Sequence, residues 1–337
     1  MATTKVNHPD LLDLASDTGA TVFPKGTTAE RPVSPEAGYI RFNTTDNVME
    51  TYDGTEWLTL DTLVNEYSVD YLVVAGGGGG GSYIAGGGGA GGLRTSFGAN
   101  SGGGAAAENS LTLESGIVYS AVIGAGGVGG ISGGGSTVKS SNGFSSSFAT
   151  IISAGGGGGG ITDIPANANS FSGSSGGSGG GSRSYWGLAA PPDAVPGTGT
   201  SGQGYTGAQG TSGSGYGAGG GGSAGPGTTT LSGNTVLGGP GLAVSITGSS
   251  LTYAAGGRGG REQSPTDPVP SGAVNTGTGG DGRQDGTNAS GGAGGSGVVI
   301  LRMPTANYSG NTTGSPTVTT DGSDTILTYT SSGTYTA

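Results

Sequence analysis

The chain has 337 residues, 82 of them glycine, no cysteine, and a formal net charge of −11 at pH 7. Without cysteine there is neither a disulfide framework nor a thiolate metal site. Charged residues make up only 10% of the chain and no basic cluster gathers phosphates, which argues against nucleic-acid binding, and no run reaches the ~20 apolar residues of a membrane-spanning helix.

Residues 1–25 read as a docking arm. Met1-Ala-Thr-Thr-Lys5 is followed by no apolar core of a secretory signal. Asp10-Leu-Leu-Asp-Leu-Ala15 is too short to persist as a lone helix in water, so an extended arm is the expectation. The acidic excess is concentrated here and just beyond, with 12 acids against 4 bases in residues 1–70.

Residues 26–67 predict a small β-meander. Tyr39-Ile-Arg-Phe42 alternates polar and apolar residues, Val48-Met-Glu-Thr-Tyr52 follows a turn-rich cluster, and Asp53-Gly54 is a hairpin signal before Thr55-Glu-Trp-Leu-Thr59. About forty residues make a thin core, and such a unit gains stability by oligomerising.

Residues 68–303 form a glycine-rich body. Four of the 82 glycines lie in 1–70 and four in 302–337, leaving 74 in the 231 residues between. Collagen would need strict Gly-X-Y phase and abundant proline, and neither is present. The body opens with Val69-Asp-Tyr-Leu-Val-Val-Ala75 and closes with Gly297-Val-Val-Ile-Leu-Arg-Met303. Both are continuous apolar runs, as in strands covered on two faces, and the simplest arrangement pairs them. Further strands are expected at 111–113, 117–123, 148–152, 242–246 and 251–255. Asn142-Gly143 reads as a hairpin turn, and residues 161–216 read as a long loop excursion. Residues 304–337 return to ordinary β composition, with a hairpin at Asp321-Gly322.

Apolar segments repeatedly run straight into glycine: Tyr71-Leu-Val-Val-Ala75 leads into six glycines at 76–81, and Phe148-Ala-Thr-Ile-Ile152 leads through Ser153 and Ala154 into six more at 155–160. Free glycine runs behave as flexible linkers. Runs anchored by strands can instead take the extended threefold polyglycine II helix, which rises ~3.1 Å per residue without internal hydrogen bonds. Side by side, such helices hydrogen-bond one another in every lateral direction, because no side chain separates them. The fold class expected is therefore all-β: a meander, then a glycine-rich β domain with polyglycine II-like segments, expected to be trimeric.

Little in the body supports catalysis. The strand and glycines at 69–81 imitate a dinucleotide-binding start, but no helix follows and the first later acid is Glu108. Gly279-Gly-Asp-Gly-Arg-Gln-Asp285 resembles a single calcium-binding RTX repeat, yet such repeats act by stacking, and an ordinary loop is the better reading. The sole histidine, His8, lies in the arm, so the body can hold no Ser-His-Asp triad. A hydrolase would need two of the body's few carboxylates about 5–10 Å apart in a groove. No cofactor is expected, and the chain reads as a non-enzyme. The candidate receptor-binding residues are Arg183, Tyr185, Trp186, Tyr205 and Tyr216, since flat aromatics in loops offer contact area to a sugar or a protein loop.

Two regions carry a resemblance. Gly26-Thr-Thr-Ala-Glu-Arg-Pro-Val-Ser-Pro-Glu-Ala-Gly-Tyr-Ile-Arg-Phe-Asn-Thr44 with Tyr52-Asp-Gly-Thr-Glu-Trp57 resembles the small β-module near the start of tail-fibre and appendage proteins of marine phages, cyanophages especially. The body's opening at 69–78 and its close at 291–302 resemble the phage glycine-rich domain, as does the tail at 324–336. In style the chain is similar to the glycine-rich distal adhesins of T-even-type phages. The resemblance implies a virion fibre or adhesin, homotrimeric, on the phage particle surface. Its N-terminal region would bind other virion proteins of the tail or capsid. Its glycine-rich loops would meet host polysaccharide or outer-membrane protein, without inserting into the membrane. The alternative is a capsid-decoration or tail adaptor protein without host binding.

Overall fold

The structure is a computed structural model that describes residues 23–60, 65–133, 136–161, 171–184, 194–211, 215–229, 231–232, 235–260, 269–283 and 289–337. The expected docking arm therefore lies almost wholly outside the described residues. The chain divides into two compact units, Met1–Glu66 and Tyr67–Ala337. Among the described residues the elements are β-strands and isolated 3-10 turns.

In the first unit Ile40–Asn43, Val48–Tyr52 and Trp57–Thr59 form the expected antiparallel meander, and Lys25–Gly26 adds a parallel edge strand. The Asp53-Gly54 turn forms because Gly54 takes φ +107° and the Asp53 carboxylate accepts the N–H groups of Thr55 and Glu56. The interior is ionic. Among the described residues of this unit the buried ones are Arg41, Asn43 and Glu50, with no apolar side chain among them. Glu50 accepts from Arg31 at 2.5 Å and from Asn43 Nδ2 at 3.1 Å, and lies 3.5 Å from Arg41. The bond from Arg31, reinforced by Asn43 and the charge of Arg41, holds the Glu50 carboxyl below its ordinary value despite burial.

The second unit begins as a sandwich. Glu66–Val74 and Val298–Pro304 pair antiparallel in the register Val74↔Val298 through Asp70↔Arg302, so the two apolar runs at the body's ends do meet. Asp324–Tyr329 and Thr317–Asp321 extend the sheet beyond Val298–Pro304, and Leu93–Thr95 extends it beyond Glu66–Val74. The hairpin within residues 304–337 thus builds into the body's own sheet. The period of two then divides the core. Val69, Tyr71 and Val73, with Val299, Leu301 and Leu327, face one cluster, and Leu72, Val74, Val298, Ile300 and Ile326 face the other. The first cluster is closed by a sheet of Ile151–Ser153, Ser146–Phe148, Val118–Val122 and Gly333–Thr336, and the second by the hairpin of Leu242–Val244 with Leu251–Tyr253. Burying each such large apolar side chain contributes about 1.5–3 kcal/mol.

Where the strands stop, the glycine segments continue as a hydrogen-bonded bundle. Residues 76–81 show its rule. Their N–H groups donate in turn to Phe144, Gly295, Gly89, Ser141, Gly292 and Gly86. Every third residue reaches the same neighbour, three residues back, so segments 141–144, 292–295 and 86–89 run antiparallel to it. Their carbonyls accept from Gly156, Gly127, Gly280, Gly159, Gly130 and Arg283, again every third residue, so 156–159, 127–130 and 280–283 run parallel. A threefold helix that exchanges hydrogen bonds in turn with six surrounding segments is polyglycine II. Segment 86–92 is surrounded in the same way, by 76–81, 154–160, 178–181, 218–221, 257–260 and 277–283.

Glycine is needed here for its missing side chain, not for its φ range. None of residues 76–81, 86–92 or 155–160 takes a positive φ. A Cβ on Gly78, however, would run into the backbone of Gly157, and one on Gly88 into the backbone of Gly78. Some positions accept a small side chain: Ala90, Ala218, Ser178 and Ser182 are all fully buried.

Four expectations are corrected. Asn142-Gly143 is no hairpin turn. Gly143 donates to Gly156 and Asn142 Oδ1 accepts from Gly158, because 140–144 is itself a bundle segment. The turn lies instead at Ala149, φ +49°, inside what read as the single strand 148–152. Residues 161–216 are not one excursion: the described segments 173–183 and 197–208 are hydrogen-bonded into the bundle, their serines and glycines being small enough to fit. Residues 279–283, read as a loop, are a bundle segment as well.

Candidate functional site

The hydrogen-bond register of the bundle fixes which residues share an end. At one end the segments emerge from the sheets: Ala75 donates to Gly92, and Leu93 to Gln203. At the far end Gly81 donates to Gly86, Gly86 to Gly160, Gly160 to Gly181, Gly217 to Gly260, Gly260 to Ala85, Arg283 to Gly81 and Ser184 to Ile84. The connections that leave this end begin after residues 81, 130, 160, 184, 211, 260 and 283. One face therefore gathers pieces that are far apart in sequence.

The turn at 82–85 joins two segments that are each enclosed by six others, which puts it at the middle of that face. Tyr83 and Ile84 take φ +69° and +47°. Two successive non-glycine residues in the left-handed region cost of order 1–3 kcal/mol each and persist only where their surroundings impose them. Here the imposition is visible: Ile84 is almost buried, and its carbonyl accepts from the Ser184 N–H. Tyr83 is left 37% exposed.

Arg183 is buried, 5% exposed, so it is not the surface contact that its place in the sequence led us to expect. Its guanidinium carbon lies 5.0 Å from the Phe171 ring centroid and 5.8 Å from the Tyr83 ring, a cation–π arrangement that supports the exposed tyrosine from below. Tyr216 is half-buried at the same end, one residue before the Gly217–Gly260 hydrogen bond. Tyr185 and Trp186 follow directly from Arg183-Ser184 and lie outside the described residues. Tyr205 is separated from the others. It accepts from Gly179 and donates to Gly222, at the sheet end, and its hydroxyl lies over Gly104. At ~3.1 Å per residue it stands roughly 15 Å below Gly210, where its segment reaches the far face.

Electrostatics on this face are local. Asp281 accepts from the Arg258 N–H at 2.8 Å, and burial raises its carboxyl above the ordinary value against the opposing pull of that bond and of the Arg258 charge. Among the described residues no group of three or more His, Asp or Glu side chains could hold a metal ion. No helix among them is long and apolar enough to cross a membrane. Tyr83 was missed in the sequence because nothing in Ser82-Tyr-Ile-Ala85 marks it as the middle of a face; only the register of the bundle does.

A sandwich base that continues into a polyglycine bundle defines a glycine-rich β domain. The chain matches the family model described as "Glycine-rich domain" over residues 51–304, and it belongs to that family. No curated protein and no solved structure gives a significant match.

Proposed function

We propose that the protein is a phage virion fibre or adhesin, joined to the particle through its N-terminal region and presenting the far face of its glycine bundle to the host surface. The observation that carries this reading is that bundle segments far apart in the sequence end together at one face, on a lattice of backbone hydrogen bonds. Rigid scaffolds with variable connections are where recognition residues concentrate. The side chains described on that face are Tyr83, Tyr216 and the buried support Arg183, and Tyr185 and Trp186 follow in the chain. Aromatic platforms with nearby hydrogen-bonding groups suit a polysaccharide or an outer-membrane protein loop. In this reading the protein acts by binding, without catalysis or cofactor, and as a homotrimer on the particle surface.

The test keeps the bundle intact. Replacing residues 185–193 by a Gly/Ser linker, and separately changing Tyr83→Ala, is expected to abolish or strongly reduce attachment of the purified protein to host cells while leaving its thermal midpoint close to wild type. Full attachment by both variants would remove the face from recognition.

One observation favours the adaptor reading. On the outer side of the sheet that closes the first core cluster, Val118, Val122 and Ile152 are 60%, 44% and 57% exposed. The register Val122↔Ser147↔Ile152 puts them on one face. A structural protein would cover that face with a virion neighbour. A density map of the assembled particle, with the far face either free or covered, separates the two readings.

A further inference from the structure

The exposed apolar face at Val118, Val122 and Ile152 does not stop where its sheet stops. As Val118–Val122 passes into the bundle, its outward period changes from two residues to three. Val122, Ala125, Val128 and Ile131 are exposed, while Gly124, Gly127 and Gly130 between them are buried. A threefold helix returns every third residue to the same side, so these four make a row along the bundle, ~28 Å long at ~3.1 Å per residue. On the adjoining segment Phe144 is 65% exposed, and its N–H donates to the Ala125 carbonyl, which sets it beside the row. A contiguous apolar strip of this kind marks a contact with another protein.

Two features specify the occupant. The lattice is open here. Among the described residues, segment 124–130 exchanges hydrogen bonds with 76–81, 141–146 and 291–297, three neighbours where 76–81 has six, and the backbone groups of Gly126 and Gly129 have no hydrogen-bond partner. Open backbone groups that repeat every third residue, ~9 Å apart, are matched by another threefold chain, as the unpaired edge of a sheet is matched by another strand. The stretch is also free of net charge. Between Glu114 and Asp163 the one charged residue is Lys139. Arg94, whose Nη1 donates to the Ile152 carbonyl, is neutralised by its ion pair with Glu108. Copies of a chain with net charge −11 repel one another, and an uncharged row is where that repulsion is least. We propose that a second copy of this chain covers the row, the bodies lying side by side and parallel so that like residues meet at like heights. The far face of each copy then stays free. The contact supplies the surface for the homotrimer of the reading above and rests on that reading for the number of copies alone.

The test reads oligomeric state in the full-length protein. Phe144→Glu with Ile152→Glu places two carboxylates on the strip, at positions that face solvent in the single chain. Leu251→Glu, at a 50% exposed position on the hairpin that closes the other core cluster, is the control. Sedimentation velocity over a concentration series is expected to show oligomers for wild type and for Leu251→Glu, and association at least about tenfold weaker for the strip variant, because like charges then face one another across the contact. Dilute samples, in which the copies are apart, should all unfold alike, since the strip is solvent-exposed in the separated chain. Wild-type protein that stays monomeric at every concentration would overturn the proposal and leave the strip to a different partner. Undiminished association of the strip variant would overturn it too, since the copies would then meet elsewhere. A second measurement uses the absence of native cysteine. On mild oxidation Ala125→Cys is expected to give interchain disulfides and Leu251→Cys is not, and equal yields would count against the contact. Neither measurement reads attachment to cells, so failure here leaves the far face to be judged by its own variants.

Discussion

At the scale of the residue, the controlling fact is the volume beside each Cα. In the bundle's interior every lateral direction is occupied by another backbone, so a single added carbon has nowhere to go. Gly88→Ala places its methyl against the Gly78 carbonyl, and backbone atoms held by hydrogen bonds on several sides cannot step aside as a side-chain end can. Overpacking of this kind costs typically 1–3 kcal/mol, occasionally more. We expect Gly88→Ala to lower the thermal midpoint markedly. Val128→Ser, at a 67% exposed position facing out from the same bundle, should fall within about 0.5 kcal/mol of wild type. Equal unfolding curves for the two variants would show that the lattice is looser than its hydrogen bonds imply. The serines make the same point from the other side. Ser178 and Ser182 are fully buried, yet they sit where a small side chain finds room, and the Ser182 hydroxyl accepts from the Gly210 N–H.

At the scale of the element, the strands do what the glycine segments cannot, which is to bury apolar surface and fix an origin for each segment. Glu66–Val74 contributes alternate residues to two clusters and then passes into residues 76–81. An ion pair fastens it to its neighbours. Arg94 donates to Glu108 through Nε at 2.8 Å and Nη2 at 2.5 Å, and the Tyr71 hydroxyl donates to the same carboxylate at 2.8 Å. Burial raises the Glu108 pKa, but the bonds from Arg94 and Tyr71 and the Arg94 charge outweigh it, so the carboxyl ends below its ordinary 4.5. A carboxylate depressed in the folded state adds stability above its unfolded pKa and loses it as the pH falls toward the folded one. Glu108→Gln should therefore cost about 1 kcal/mol at pH 7, discounted for its partial exposure. The gap from wild type should close as the pH drops below 4.5, a change that thermal melts across that range would read. A gap of constant size from pH 7 to pH 3 would mean that the cluster's charge plays no part.

At the scale of the whole molecule, the hydrogen-bonded segments of the scaffold are separated along the sequence by the stretches that join them. The sandwich and the bundle are made of backbone that must stay where it is, because its hydrogen bonds run from segment to segment. That separation predicts that residues 185–193 can be exchanged for a linker with little loss of stability, since the segments on either side keep their own hydrogen bonds: Arg183 donates to Phe171, and Gly197 to Gly180. Removing all of 161–216 would instead take out bundle segments and unfold the unit. A large fall in the thermal midpoint on the smaller exchange would show that those residues belong to the scaffold.

Much of this was legible in the sequence, for physical reasons. The all-β class, the Asp53-Gly54 and Asp321-Gly322 turns and the pairing of the two apolar ends follow from short-range chemistry: turn residues with the right φ, and apolar runs that need covering on both faces. The polyglycine segments were legible too, because an anchored run of glycine has few other ordered forms. What only the tertiary structure decided is the order in which segments meet. One glycine segment looks like another, and their partners are set by a three-residue register running through the whole lattice. That register turned Asn142-Gly143 from a hairpin into a bundle segment and drew 173–183 into the scaffold. It also buried Arg183, separated Tyr205 from the far face, and put Tyr83, which no motif marks, at its middle.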